Sequence, residues 1–134
     1  MYPKEIMSDI YWGFYGGKYN SLEKFIRDVN EYNQDFDKEW NPDETVLACP
    51  DVTVQYSYWD HEGNSEIEEN FDLVADHQSG FTAGEFLYKM HNQVVDKLEN
   101  DDHHFFQGLM LLKKEHSNHH NNYYAPLYFI HQGS

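Results

Sequence analysis

The hydrophobic positions of this chain change period several times. From about Ser21 to Gln34, the residues Leu22, Phe25, Ile26 and Val29, with Phe36 beyond, recur at the spacing of an amphipathic helix. Asn20 followed three residues later by Glu23 supplies a capping-box pair at its start. Upstream, the aromatic-rich Ile10–Tyr15 run ends at Gly16-Gly17 and reads as a short strand turning into that helix. Asn41-Pro42-Asp43 marks a loop, and Val46–Cys49, stopped by Pro50, a short strand. The period then drops to two: Val52, Val54, Tyr56 and Tyr58 alternate with Thr53, Gln55, Ser57 and Trp59. Asp60-His61-Glu62-Gly63-Asn64 follows as a turn, with Gly63 available for a positive φ. The return strand puts Ile67, Phe71 and Leu73 on one face and Glu66, Glu68, Asn70 and Asp72 on the other. Glu69 breaks the apolar side, as an edge position would allow.

After Gly80, Thr82-Ala83-Gly84-Glu85 is a second capping box, and Phe86, Leu87, Met90, Val94 and Leu98 continue as an apolar stripe. This helix is expected to end near Asn100-Asp101-Asp102. Phe105–Leu112 reads as a well-buried strand and Tyr124–His131 as its antiparallel partner, separated by the polar loop His116–Asn122. The predicted order is β-α-β-β-β-α-β-β, rich in hairpins rather than alternating crossovers. It implies a single α+β domain over residues 1–134, an antiparallel sheet with two amphipathic helices packed on one face.

Composition sharpens the picture. Acidic chains that stay disordered are poor in aromatic residues, whereas this one has 11 Tyr, 9 Phe and 3 Trp, so it is expected to fold. Met1-Tyr2-Pro3-Lys4-Glu5 lacks the basic-then-apolar pattern of a signal peptide, and no apolar run approaches the roughly 20 residues that cross a bilayer. A soluble cytoplasmic protein is the expectation. Cys49 stands alone, so no internal disulfide can form, and its apolar run marks it as a small buried hydrophobe. The 24 Asp and Glu against 9 Lys and Arg give a formal net charge of −15. Such self-repulsion costs stability and disfavours phosphate-bearing partners, which are bound through Lys and Arg. A basic protein is the more natural partner, and solubility alone is the plainer reading of the same charge.

No motif for catalysis stands out, and neither an enzymatic activity nor a cofactor or metal site is expected. Nine histidines include His116, His119 and His120, which with Asp101-Asp102-His103-His104 across the hairpin suggest zinc ligands, but their spacing fits no standard zinc motif. His91, one turn after Leu87, reads as a core group bonded to backbone, with a general base as the alternative. Asp101-Asp102 reads as helix-end punctuation. Gly13, Gly16 and Gly17 lack the context of a phosphate loop, and Tyr11–Tyr15 reads as core rather than a base-stacking platform. The preferred partner-binding candidates are Glu66, Glu68 and Asp72, spaced along the return strand and joined by Asp60, Glu62 and the flanking Trp59. A solvated outer sheet face would show the same pattern. The loop His116–Asn122 and the acidic 35–44 segment are rival surfaces.

The C-terminal half, from Gly84-Glu85-Phe86-Leu87-Tyr88-Lys89-Met90-His91-Asn92 through Asp102-His103-His104-Phe105-Phe106-Gln107-Gly108-Leu109 to Pro126-Leu127-Tyr128-Phe129, is similar to small immunity proteins of bacterial polymorphic-toxin and contact-dependent growth inhibition systems. The likeness lies in general character: acidic, compact, aromatic-rich and α+β. It implies a cytoplasmic protein that binds and blocks one cognate basic toxin domain, often a nuclease, and it carries over no binding residues. A small metal-dependent enzyme and an acidic nucleic-acid mimic are the alternatives from other classes.

Overall fold

In the computed structural model, which describes residues 2–118 and 123–134, the chain runs through β1 (Glu5–Ile6), β2 (Trp12–Gly13), α1 (Leu22–Gln34), β3 (Thr45–Leu47) and β4 (Asp51–Asp60). It continues through β5 (Ser65–Val74), β6 (Phe81–Thr82), α2 (Ala83–Leu98), β7 (Phe105–Asn118) and β8 (Tyr123–Gly133). The class is α+β, with both helices on one face of a mostly antiparallel sheet. No helix among the described residues is long and apolar enough to cross a membrane. The short strands β1 and β6 are additions to the expected order, being too brief to show a period.

The main sheet has the order β1-β7-β8-β4-β5, with β2 also paired to β7. The structure bears out an antiparallel sheet and corrects it at one pairing. β8 pairs β4 in parallel, with Thr53, Val54 and Gln55 beside Leu127, Tyr128 and Phe129. The reason is connectivity: β4 and β5 form one hairpin, β7 and β8 another, and the crossover through α2 sets the second hairpin beside β4 in that direction. A second correction concerns β3, which leaves the main sheet and pairs β6 alone. Glu69 is explained: β5 is an edge strand, and the carboxylate accepts the hydroxyls of Tyr56 (2.9 Å) and Tyr58 (3.1 Å).

Alternation along β4 puts Val52, Val54 and Tyr56 into the core, level with Leu73 on β5 and Tyr128 on β8. α2 buries Phe86, Leu87, Met90 and Val94 in the same cluster, and α1 adds Phe25 and Val29. Leu22 and Phe36 remain exposed, so the α1 stripe is narrower than expected. Its cap is Ser21 rather than Asn20: Ser21 is extended, the helix begins one residue later, and the hydroxyl accepts from Lys24 N–H at 3.2 Å. At α2 the expected Thr82 cap is present, accepting from Glu85 N–H at 3.2 Å. Glu85 itself points instead at Asp76 N–H (2.7 Å) and Lys89 Nζ (2.9 Å). In the β4–β5 turn Asn64, not Gly63, takes the positive φ of 53°. β7 is less buried than expected, since Met110 and Leu112 are exposed.

β1 and β2 both lie along the free edge of β7, separated by a bulge. Ile6 sits opposite Leu109, Trp12 opposite Phe106, and the β7–β8 register shifts between those positions. Gly108 occupies the bulge at φ 98°, where an added Cβ would lie 2.7 Å from Ser8 Cα. Only glycine allows the N-terminal segment to approach this closely.

Leu87→Ala and Met90→Ala are each expected to cost about 2–5 kcal/mol, because both side chains are fully buried beneath the sheet. Urea denaturation measures this. A loss under about 0.5 kcal/mol at both positions would contradict the packing of α2 described here.

Candidate functional site

The β4–β5 register fixes where the candidate binding residues stand. Trp59 lies opposite Glu66, Ser57 opposite Glu68 and Thr53 opposite Asp72. Directly opposed residues share a face, so Trp59, Glu66, Glu68 and Asp72 all lie on the face away from the helices. Glu66 and Glu68 are exposed, and Trp59 is 44% exposed. Asp72 is half-buried, and its carboxylate accepts the hydroxyl of the buried Thr53 at 2.8 Å, which commits it to the fold. Asp60 ends β4 and Glu62 lies in the turn, where Asp60 Oδ1 accepts from Glu62 N–H at 3.1 Å. Asp60, Glu62, Glu66 and Glu68 thus gather at the turn end of the hairpin, whereas Asp72 lies toward the other end of β5.

Asp101 ties the turn end to the helix layer. Its carboxylate accepts from Trp59 N–H (2.8 Å) and from His103 N–H (2.8 Å), joining the loop after α2 to the end of β4. Trp59, Glu66, Asp101 and His103 line a hollow of 170 Å³ beside the indole. The outer face continues across the sheet through Gln55, Phe129 and Met110, which share one register row. No Lys or Arg occurs between Lys38 and Lys89, a stretch carrying twelve of the 24 Asp and Glu: Glu39, Asp43, Glu44, Asp51, Asp60, Glu62, Glu66, Glu68, Glu69, Asp72, Asp76 and Glu85. β4 and β5 both lie within it.

The other candidates resolve into structure. His91 is fully buried among Trp12, Phe14, Tyr19 and Phe25. Trp12 Nε1–H donates to His91 Nδ1 at 3.0 Å, so Nε2 carries the ring proton and donates to the Gly17 carbonyl at 2.8 Å. Both ring nitrogens are occupied, and burial holds the imidazole below its ordinary value of 6.5, against the opposing pull of the Gly17 carbonyl. Cys49 is half-buried rather than buried; burial pushes its thiol up to about 11, leaving it protonated at neutral pH. His119 and His120 lie outside the described residues. Among the described residues no three His, Cys, Asp or Glu side chains group to hold a metal ion.

Three side-chain amides were not anticipated. Asn33 accepts from Tyr11 N–H and donates to Tyr11 C=O, both at 2.9 Å. Asn92 does the same for Tyr19 (2.9 and 3.0 Å), and Gln132 for Ser57 (both 2.9 Å). The available sequence signal was a polar residue on an apolar helix stripe, as at Asn33. Also unanticipated is a cleft of 560 Å³ in which Glu39 and Glu44, from or beside the acidic 35–44 segment, meet Glu5 and Asp9.

Comparison with protein-family models, with curated proteins and with solved structures returns no match for this chain.

His91 makes stability depend on pH in a definite direction. Unfolded His91 takes up a proton near pH 6.5 that the buried ring resists, so stability attributable to it is lost as pH falls below that value. The loss levels off below the folded pKa. Accordingly, the stability difference between wild type and His91→Gln, from urea denaturation at pH 7.5, 6.5 and 5.5, is expected to shrink with falling pH. A constant difference would contradict this protonation scheme.

Proposed function

We propose that this chain is a binding protein of the immunity type, which neutralises a cognate basic toxin domain in a one-to-one complex. The partner seats on the outer face of the β4–β5 hairpin. One observation carries the reading: exposed Glu66 and Glu68 stand beside the exposed Trp59 on a hairpin without a single Lys or Arg. Clustered carboxylates steer a basic surface and supply charge-assisted acceptors, while an exposed indole offers rigid apolar area of the kind that anchors interfaces. A nuclease fits as the toxin class, because an enzyme that grips phosphates presents a basic surface of its own. The half-buried Asp72, bonded to Thr53, contributes to the field rather than to direct contact.

A pull-down from the source organism on the immobilised chain, followed by calorimetry with the captured domain, tests the reading. A basic domain binding one to one is expected, with an association rate that falls as salt shortens the Debye length from about 30 Å to about 8 Å. The Glu66→Lys/Glu68→Lys variant is expected to fold, since neither side chain is buried, and to bind at least about tenfold more weakly, because repulsion replaces attraction. Recovery of no basic partner, or unchanged affinity in a folded variant, would overturn the proposal.

A further inference from the structure

β5 closes one side of the main sheet, and among the described residues no strand pairs its outer edge. The bonds of β4 show which backbone groups that edge presents. Ser57 N–H donates to Gln132 Oε1 and its carbonyl accepts from Gln132 Nε2 (both 2.9 Å), while Trp59 N–H donates to Asp101. Both positions turn their backbone away from β5, so their partners Glu68 and Glu66 turn N–H and C=O outward. Alternation extends this to Asn70, Asp72 and Val74. The Val74 carbonyl does lie outward, accepting from Lys89 Nζ at 2.7 Å. That lysine caps one end and leaves the stretch from Glu66 to Asp72 as open edge.

An exposed edge is a template for another strand unless proline, lysine, a bulge or an inward charge blunts it. β5 holds no Pro, Gly or Lys, and its ten pairs with β4 run without a register shift. Glu69 points inward but is engaged by the hydroxyls of Tyr56 and Tyr58. The side chains decide what can join. On the outer face an added strand lies beside Glu66, Glu68 and Asp72, which repel a second copy of β5 and suit Lys or Arg. On the helix side it meets half-buried Ile67 and Phe71. There it also reaches a hollow of 330 Å³ between β5 and α2, where Leu73, Tyr88 and Gln93 stand beside the bonded Lys89. We propose that a basic segment of the protein partner adds to the open edge of β5 as a further strand, with Lys or Arg at alternate positions on the outer face and apolar residues between them. Main-chain bonds to Glu66, Glu68, Asn70 and Asp72 hold the strand, and the carboxylates select its charge. The proposal rests on the hairpin reading for its partner and adds how that partner is held.

Backbone pairing leaves a signature that contact through the sheet face alone does not. The full chain, labelled with nitrogen-15, is titrated with a seven-residue peptide alternating lysine and valine, and amide hydrogen exchange is followed along β5. Saturable binding is expected to slow exchange at Glu66, Glu68, Asn70 and Asp72 at least about tenfold. Ile67, Glu69 and Phe71, whose amides already face β4, are expected to change by less than about threefold. Asn70→Pro removes an edge N–H that β4 does not use and leaves the charge unchanged, so it is expected to fold and to weaken binding at least about tenfold. Asn70→Ala is expected to stay within about threefold. Two N-methylated peptides, one blocked at every lysine and one at every valine, test the same point without altering the protein. One of them is expected to lose binding and the other to keep it, because only one set of amides faces β5. Equal binding by both, or binding that leaves the four edge amides unprotected, would overturn the proposal. So would protection of those amides in the free chain that rises with its concentration, which would assign the edge to a second copy. A captured basic domain that leaves them unprotected would overturn the edge pairing and spare the hairpin reading. Edge protection by the peptide with no basic domain captured would support the edge site and overturn that reading.

Discussion

The hydrogen bond from Trp12 to His91 decides how the first twenty residues sit on the rest of the molecule. This N-terminal segment has little regular structure, with only the two-residue strands β1 and β2 against β7, yet it lies over a fully buried part of the core. Backbone groups in such a place need partners, since an orphaned buried donor or acceptor costs about 1–3 kcal/mol. Helix side chains provide them. His91 on α2 holds the Trp12 indole with one nitrogen and the Gly17 carbonyl with the other. Asn33 on α1 and Asn92 on α2 each bond both backbone groups of one tyrosine, Tyr11 and Tyr19. The helices therefore act as the missing neighbouring strand.

That arrangement decides which polar groups are left to solvent. Among the described residues the buried side-chain polar atoms are bonded internally, Trp40 Nε1 apart, and at the sheet edge Tyr56 and Tyr58 share Glu69. Most of the carboxylates have no such task and stand in water, where their mutual repulsion opposes folding. At the hairpin end exposed carboxylates meet the accessible indole of Trp59, and at the cleft beside Trp40 exposed carboxylates stand over buried side chains. These places lie toward opposite edges of the sheet.

Elements defined by local period were legible in the sequence. The apolar stripe of α2, its Thr82 cap, and the alternation along β4 and β5 needed only neighbours within a few residues. That alternation also placed Trp59, Glu66, Glu68 and Asp72 on one face before any pairing was known. What depends on distant contacts was hidden. The parallel pairing of β4 with β8 is a matter of crossover direction, and two-residue strands such as β1 and β6 carry no period at all. Asn33 and Asn92 look like ordinary polar helix residues until the segment they bond is seen against them. Asp72 resembles its neighbours Glu66 and Glu68 until Thr53 is found opposite it. Of the cleft only the acidic 35–44 segment shows locally, because Glu39 and Asp9 come from parts of the chain more than twenty-five positions apart.

The irregular N-terminal segment is thus an integral part of the core, fixed by side chains of both helices. Hydrogen exchange of the Trp12 indole N–H and of the Tyr11 and Tyr19 amides is the decisive measurement. If His91, Asn33 and Asn92 hold the segment as described, these protons exchange only through global unfolding, at rates matching the buried amides of α2. Exchange within seconds, while the α2 amides stay protected, would mean that the segment opens independently and that the helices do not hold it.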